Sequence, residues 1–273
     1  MHKSWSVRLP AALAATLALA GLGAASTSAV AQVDQSERID GKPNLNGLWQ
    51  AVNTAHWNLE AHSAEPLPDF WELGAIVAIP AGQSVVVGET IPYLPDALQR
   101  RNDNRESWPA SDPEAKCYLP GIPRATYMPY PFQIIQGQKD ILFAYEYASA
   151  NRIVRMSEHE EPPVDSWMGW SNGHWDGDTL VIEVTGHNGQ TWFDRAGNHH
   201  GNMLKVTERY TKMSDHILDY EATIEDPETF SRPWQIRMPL YRRVEPNAQL
   251  LEFKCVEFSE ELLYGELTKK EQD

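Results

Sequence analysis

Asn172-Gly173-His174-Trp175-Asp176-Gly177-Asp178-Thr179-Leu180-Val181-Ile182-Glu183-Val184 reads as a strand, a tight turn and a second strand. Leu180 to Val184 is an apolar, β-branched run, and Asp176-Gly177 is a dipeptide favoured in two-residue type I′ hairpins. Side chains alternate across a strand, so only one of His174 and Trp175 can face inward. The inward one goes either with Leu180, Ile182 and Val184 or with Thr179, Val181 and Glu183.

The same grammar extends in both directions. Phe132 to Ile135 and Ile141 to Tyr147 flank Gly137-Gln138-Lys139-Asp140, and Arg152 to Met156 follows. Leu204 to Met213 and Ile217 to Ile224 flank Ser214-Asp215-His216, and Trp234 to Arg243 and Gln249 to Phe258 flank Glu245-Pro246-Asn247. Short turns make consecutive strands antiparallel neighbours, and about nine or ten of them curl and close so that no edge stays exposed. The expected fold is mainly β, an antiparallel meander closing into a calycin- or lipocalin-like barrel, with a two-sheet β-sandwich as the alternative. Ile141, Phe143, Tyr145 and Tyr147 form one aromatic face, and Leu218, Tyr220, Ala222 and Ile224 another. In Leu204, Val206, Glu208 and Tyr210 a single carboxylate sits on an apolar face. A barrel of this size either holds a small ligand among such faces or fills with them.

Residues 32–131 read differently. Pro92, Pro95, Pro109, Pro113, Pro120, Pro123, Pro129 and Pro131 preclude a long helix or a central strand. Asn44 to Gln50 looks like a turn feeding a first strand, Ala75 to Pro80 and Val85 to Val87 like a short hairpin, and Asp96 to Arg105 like one short helix. The segment is expected to wrap a body built from residues 132–258, burying Trp57, Trp71, Trp108, Tyr118, Tyr127 and Tyr130. Residues 259–273 are read as a tail of the same domain.

The first 31 residues have the form of a secretory leader: Lys3 and Arg8, the apolar run Leu9 to Ala25, and Ala29-Val30-Ala31 before Gln32. A periplasmic or secreted chain beginning near Gln32, with no membrane span, is the expectation. Without Lys3 and Arg8 the 23 basic side chains become 21 against 38 acidic, a net charge of −17. So acidic a chain repels nucleic acid and anionic lipid, leaving a small molecule as the expected partner. An oxidising compartment favours a disulfide between Cys117 and Cys255, the only two cysteines, though two inert buried thiols remain the alternative.

The residues able to carry chemistry concentrate between Ser166 and Glu208. His174 beside Asp176 or Asp178 forms a candidate base with a carboxylate partner, while the same aspartates also suit simple turn chemistry. Glu208 is the carboxylate favoured for a functional role, with Arg209 or, for Glu146, Arg152 as ion-pair partners. His199-His200, His187 and Asp194 lie in a loop near the barrel mouth. Candidate catalytic residues are therefore His174, Glu208, His200 and Asp176, and candidate substrate-binding residues are Trp175, Trp192, Tyr145, Arg152 and Asp194. No cofactor is predicted; a divalent metal would be held by His174, His200 and Glu208, without a compact motif such as His-Glu-x-x-His. There is no Gly-x-Ser-x-Gly elbow and no nucleotide-binding glycine loop.

Leu119-Pro120-Gly121-Ile122-Pro123-Arg124, Pro129-Tyr130-Pro131-Phe132-Gln133-Ile134, Gly173-His174-Trp175-Asp176-Gly177-Asp178-Thr179-Leu180-Val181, Thr191-Trp192-x-Asp194, Val206-Thr207-Glu208-Arg209 and Arg232-Pro233-Trp234 together resemble a large family of exported bacterial proteins of unknown function. The resemblance runs from Asn44 to about Val256 and implies export and a single domain. His200 matches the family histidine where His199 stands at a position commonly proline, and Asp176 stands where Glu is frequent. No reaction follows from it. The residue chemistry points to a hydrolase or lyase using His and carboxylate acid–base steps on a small glycosidic or aromatic compound, or to a binding protein for such a ligand.

Overall fold

A computed structural model describes residues 38–67 and 78–257, with Ser259 and Leu262 beyond them. The expected leader, Trp71 and most of the expected tail lie outside the described residues.

Nine strands close into a barrel. Their chain order is β3 (Gly47–Ala51), β6 (Phe132–Gln136), β7 (Asp140–Tyr145), β8 (Asn151–Arg155), β9 (Trp170–Asp176), β10 (Thr179–Thr185), β11 (Lys205–Ser214), β12 (Ile217–Glu225) and β13 (Trp234–Arg242). Two-residue ladders β1 (Arg38–Ile39) with β2 (Lys42–Pro43), and β4 (Glu65–Pro66) with β5 (Ala78–Ile79), lie outside it. Closure departs from a plain meander at two places. β3 inserts between β13 and β6, and β8 pairs with β9 in parallel through Val154 with Ser171 and Arg155 with Asn172.

Because β3 takes the free edge of β13, the strand expected over Gln249 to Phe258 has no edge to join, and residues 246–257 are irregular. That segment is tethered instead by the disulfide Cys117–Cys255, Cα to Cα 5.7 Å, and by Phe253 packing on Tyr130 and Tyr147. The hairpin expected between Ala75–Pro80 and Val85–Val87 does not form among the described residues: Ala78–Ile79 pairs with Glu65–Pro66, and Val86 bridges Ile236. The β9–β10 turn is Gly177-Asp178, one residue later than expected, with Asp176 already paired to Thr179.

Register fixes which side chains enter the barrel. Gly173, Ile182, Glu208, Ala222 and Ile236 form one row, and Trp175, Leu180, Tyr210, Tyr220 and Met238 another. Both rows face inward, so the interior is filled by buried residues including Trp49, Phe132, Phe143, Tyr145, Tyr210 and Tyr220. His174, Val181, Arg209, Glu221 and Arg237 form the intervening row on the outside.

The helix α1 (Pro95–Glu106) begins with Pro in its first turn, where no amide donor is needed, and buries no residue. The short helix α2 (Arg124–Tyr127) is wholly buried. Thr126 Oγ1 lies 3.4 Å from Tyr210 Oη inside the barrel, and Tyr127 Oη donates to the Phe193 carbonyl at 2.9 Å, so α2 plugs the mouth beneath the β10–β11 connection. Arg124 is held bidentately by Asp112 and also by Glu114, and Glu114 accepts two hydrogen bonds from Arg195, tying the wrap to that connection. No helix among the described residues is long and apolar enough to cross a membrane.

Candidate functional site

The sequence candidates divide between the two ends of β10. His174, Trp175 and Asp176 stand at the β9–β10 turn, whereas His187 to His200 belong to the β10–β11 connection at the other end. Seven residues of strand separate them, about 20 Å at ~3.3 Å per residue. His174 is exposed on the outer face. Asp176 is exposed too and pairs with Arg209 at 2.9 Å, and Asp178 pairs with Arg38 at 2.7 Å, which lowers the Asp178 pKa. Trp175 faces inward at the rim, half-buried, with the Lys42 ammonium 5.9 Å from its ring centre.

Glu208 is fully buried on the inner face and is bound to Arg152, not to Arg209. Its Oε2 accepts from Arg152 at 2.6 Å and its Oε1 from Tyr210 at 3.0 Å and Tyr220 at 2.8 Å. Arg152 also reaches Tyr210 and lies 4.6 Å from the Phe143 ring centre. Tyr145 lies in the same interior, and its hydroxyl makes no hydrogen bond of good geometry. Glu146, expected to pair with Arg152, accepts from the Leu251 amide instead. Glu208, Arg152 and Tyr145 are thus structural neighbours of one another rather than groups open to a ligand. Four cavities of 140 to 350 Å³ are lined by other residues, none by these.

The expected metal set of His174, His200 and Glu208 is not assembled, because the three occupy the outer face, the far loop and the sealed interior. Among the described residues no three His, Cys, Asp or Glu side chains stand close enough to hold a metal ion.

What does assemble is a pocket on the β10–β11 connection. Asp194, also fully buried, folds that loop: it accepts from the Ala196 and Asn198 amides, from Asn198 Nδ2 at 2.6 Å and from the Leu59 amide at 2.8 Å. Burial raises its pKa to about 6 against the pull of these donors. Asp194 is therefore an organiser and not a ligand contact. Around this knot Trp192 bridges His199, and Phe193 donates to the Asn198 carbonyl.

His200 is buried beside it. Its Nδ1 lies 2.8 Å from the Gly201 carbonyl, which can only accept, so Nδ1 carries the proton. Nε2 is then the acceptor, and Thr191 Oγ1 donates to it at 2.6 Å. Burial lowers His200 to about 4, so the ring is neutral near pH 7. Both nitrogens are engaged. Asp226 braces the arrangement by accepting from the Gly201 amide at 2.6 Å and from Thr229 Oγ1 at 2.7 Å. His187 stands edge-on to His200, ring centres 5.8 Å apart, fully buried and lowered to about 3 by burial and by His200. His199 stacks on Tyr93 at 5.7 Å and is lowered to about 4, again mainly by burial.

Thr191, Trp192, His199 and His200 line a cavity of about 280 Å³, completed by Arg100 of α1, Ser111, Pro113, Lys116, Tyr118, Trp167, Gly189 and Gln190. Of the sequence candidates, His200 and Trp192 reach it. Thr191, Arg100, Lys116 and Trp167 were not singled out as site residues, and Tyr118 was expected to be buried but is 48% exposed. The one local signal that touched them was Thr191-Trp192-x-Asp194.

Fold and site together define a closed nine-stranded barrel with a plugged mouth and a cavity of about 280 Å³ on the loop outside it. A comparison with protein-family models found no matching family. A comparison with curated proteins found no matching sequence.

Proposed function

We propose that the chain is an exported enzyme of the hydrolase or lyase type, acting on a small aromatic or glycosidic compound with His200 as proton carrier. The observation that carries this reading is the 2.6 Å contact between Thr191 Oγ1 and His200 Nε2, with Nδ1 fixed by Gly201, at the wall of a cavity. A base oriented by a third group and bonded to a hydroxyl is the arrangement acid–base and nucleophilic catalysis need. In hydrolysis a water proton passes to Thr191 Oγ1 as that hydroxyl's own proton moves to Nε2, and the water oxygen bonds to the substrate; in elimination the proton comes from the substrate carbon, whose electron pair forms the new double bond. In either case the bond to the leaving group breaks, the leaving group keeps the electrons of that bond, and the imidazolium gives it a proton, leaving Thr191 and His200 unchanged. Trp192 and Trp167 supply ring surface for the substrate. No metal is assigned a step.

One observation favours a second reading, a binding protein without turnover: an imidazole lowered to about 4 is a weak base at neutral pH. Product analysis separates the two. The purified chain and its His200→Gln, Thr191→Val and His174→Ala variants are incubated with aryl esters, aryl ethers and aryl glycosides. Expected is turnover of at least one member, reduced about 10²- to 10⁴-fold by His200→Gln or Thr191→Val and within about twofold of wild type in His174→Ala. Turnover that survives both pocket substitutions refutes the assignment, and binding without product from any member leaves the carrier.

A further inference from the structure

We infer that the pocket beside His200 takes a single-ring aromatic carboxylate, recognised by Arg100 and Lys116 at one side and by the Tyr118–Trp167 ring pair at another. The inference rests on the same site as the proposed function and names the chemistry of what enters it.

The charge distribution is the first argument. In a chain with 38 acidic side chains against 23 basic, the twelve residues lining this cavity include two cations and no carboxylate. Among the described residues neither Arg100 nor Lys116 is in an ion pair, whereas Arg38, Arg105, Arg124, Arg152 and Arg209 are each paired with an acid. The imidazoles at the cavity wall are neutral, and the charge on Arg100 is one of the causes holding His199 and His200 down. The field inside the cavity is therefore positive, with no resident anion lining it. Asp226, whose charge acts on His200, does not line the cavity and is engaged by Gly201, Glu228 and Thr229.

The second argument is the ring surface. Tyr118 and Trp167 stack face to face at 4.6 Å with their planes 7° apart, each covering one face of the other, and Tyr118, 48% exposed, keeps free ring surface in the cavity wall. Trp192 adds a third ring to the lining. A planar ligand gains stacking area on such a wall at little conformational cost. The volume of about 280 Å³ sits just under the roughly 300–1,000 Å³ of pockets for drug-sized ligands. It suits one ring with a short acidic arm. Arg100 offers a carboxylate the planar fork that binds both oxygens, and Lys116 a point charge.

Binding is measured by calorimetry with benzoate and 4-hydroxycinnamate against the neutral benzamide and the non-aromatic cyclohexanecarboxylate, at low and high salt. Expected in the wild type is an advantage of carboxylate over amide of about tenfold, the size of one charge-assisted contact at a partly exposed group. That advantage shrinks at high salt and falls to within about twofold in Arg100→Gln, Lys116→Gln combined. Trp167→Ala weakens the aromatic ligands together and keeps the carboxylate-to-amide ratio, and Lys139→Gln, on the exposed β6–β7 turn, changes nothing. Equal affinity for benzoate and benzamide, no binding of either, or a preference that survives the double substitution overturns the inference. All of this is read without turnover. Tight carboxylate binding with no product sinks the enzyme and keeps the ligand class, and turnover of uncharged substrates with no carboxylate preference does the reverse.

Discussion

Glu208 and Arg152 are 56 positions apart in sequence and 2.6 Å apart across the barrel, with Tyr210 and Tyr220 donating to the same carboxylate. Removing one member of such a pair leaves the other charge buried without compensation, which costs about 3–5 kcal/mol. Glu208→Gln is therefore expected to lower the unfolding free energy by that amount in urea denaturation, with an unchanged denaturant slope. A loss below about 1 kcal/mol would mean the guanidinium finds other acceptors. Alternation along β11 made the inward position of Glu208 legible in sequence. Its partner was not legible, because ion-pair choice across a closed barrel depends on strand order and stagger, which no local spacing encodes. The same holds for Thr191: a threonine in a loop carries no sign that an imidazole nine positions later will turn its Nε2 toward it.

The hairpins were the legible elements, since turn residues and two-residue alternation are local. The parallel β8–β9 closure was not, because it depends on how a connection of some fourteen residues crosses from Arg155 to Trp170. Gly173 is the position that permits it. A Cβ there would stand 2.5 Å from Val154 Cγ1 and 2.7 Å from Met156 Sδ, so the strands approach only because that side chain is missing. Gly173→Val is predicted to cost about 1–3 kcal/mol through overpacking and to raise hydrogen exchange selectively along β8 and β9. Uniform exchange across all nine strands would assign the loss to the barrel as a whole. The concentration of chemical groups between Ser166 and Glu208 was real in sequence, yet β10 divides it into two unconnected sets. Its other contributors, Arg100, Lys116 and Tyr118, come from the proline-rich wrap.

Across the whole molecule, burial leaves several imidazoles neutral: His56 and His187 at about 3 and His200 at about 4, against 6.5 for the free side chain. Between pH 6.5 and about 4 the unfolded chain binds protons at these sites and the folded chain does not. Their contribution is thus complete above pH 6.5 and is lost on acidification, at up to about 1.4 kcal/mol per pH unit for each group. Glu114, lowered from 4.5 to about 2 by Arg195 and Arg124 despite its burial, acts in the same direction in the window below. Asp194, raised from 3.8 to about 6, acts in the opposite direction, since its folded form takes up a proton first. With His199, also lowered to about 4, four imidazoles outweigh one carboxyl. Urea denaturation at about pH 5 is expected to give a smaller unfolding free energy than at neutral pH, and His187→Gln to flatten the difference by one group's share. A profile that is flat between those values would contradict the neutral burial of the imidazoles.

Cys117 lies between Lys116 and Tyr118, two of the side chains that line the pocket, and its partner Cys255 is 138 positions away in the segment that follows the last barrel strand. The barrel closes through its own strands, so the covalent link bears less on whether the chain folds than on whether the segment between Pro113 and Tyr118 keeps its shape. A molecule assembled where thiols stay reduced would have an intact body and would hold the Pro113 to Tyr118 segment only by non-covalent ties, among them the Tyr118–Trp167 stack and the hydrogen bonds of the Lys116 and Tyr118 amides to the Pro113 carbonyl. If the pocket takes the ligand class inferred above, its recognition surface is completed only after the backbone is made, when the two thiols give up two protons and two electrons to an outside oxidant, and it belongs to the history of the molecule as much as to its sequence.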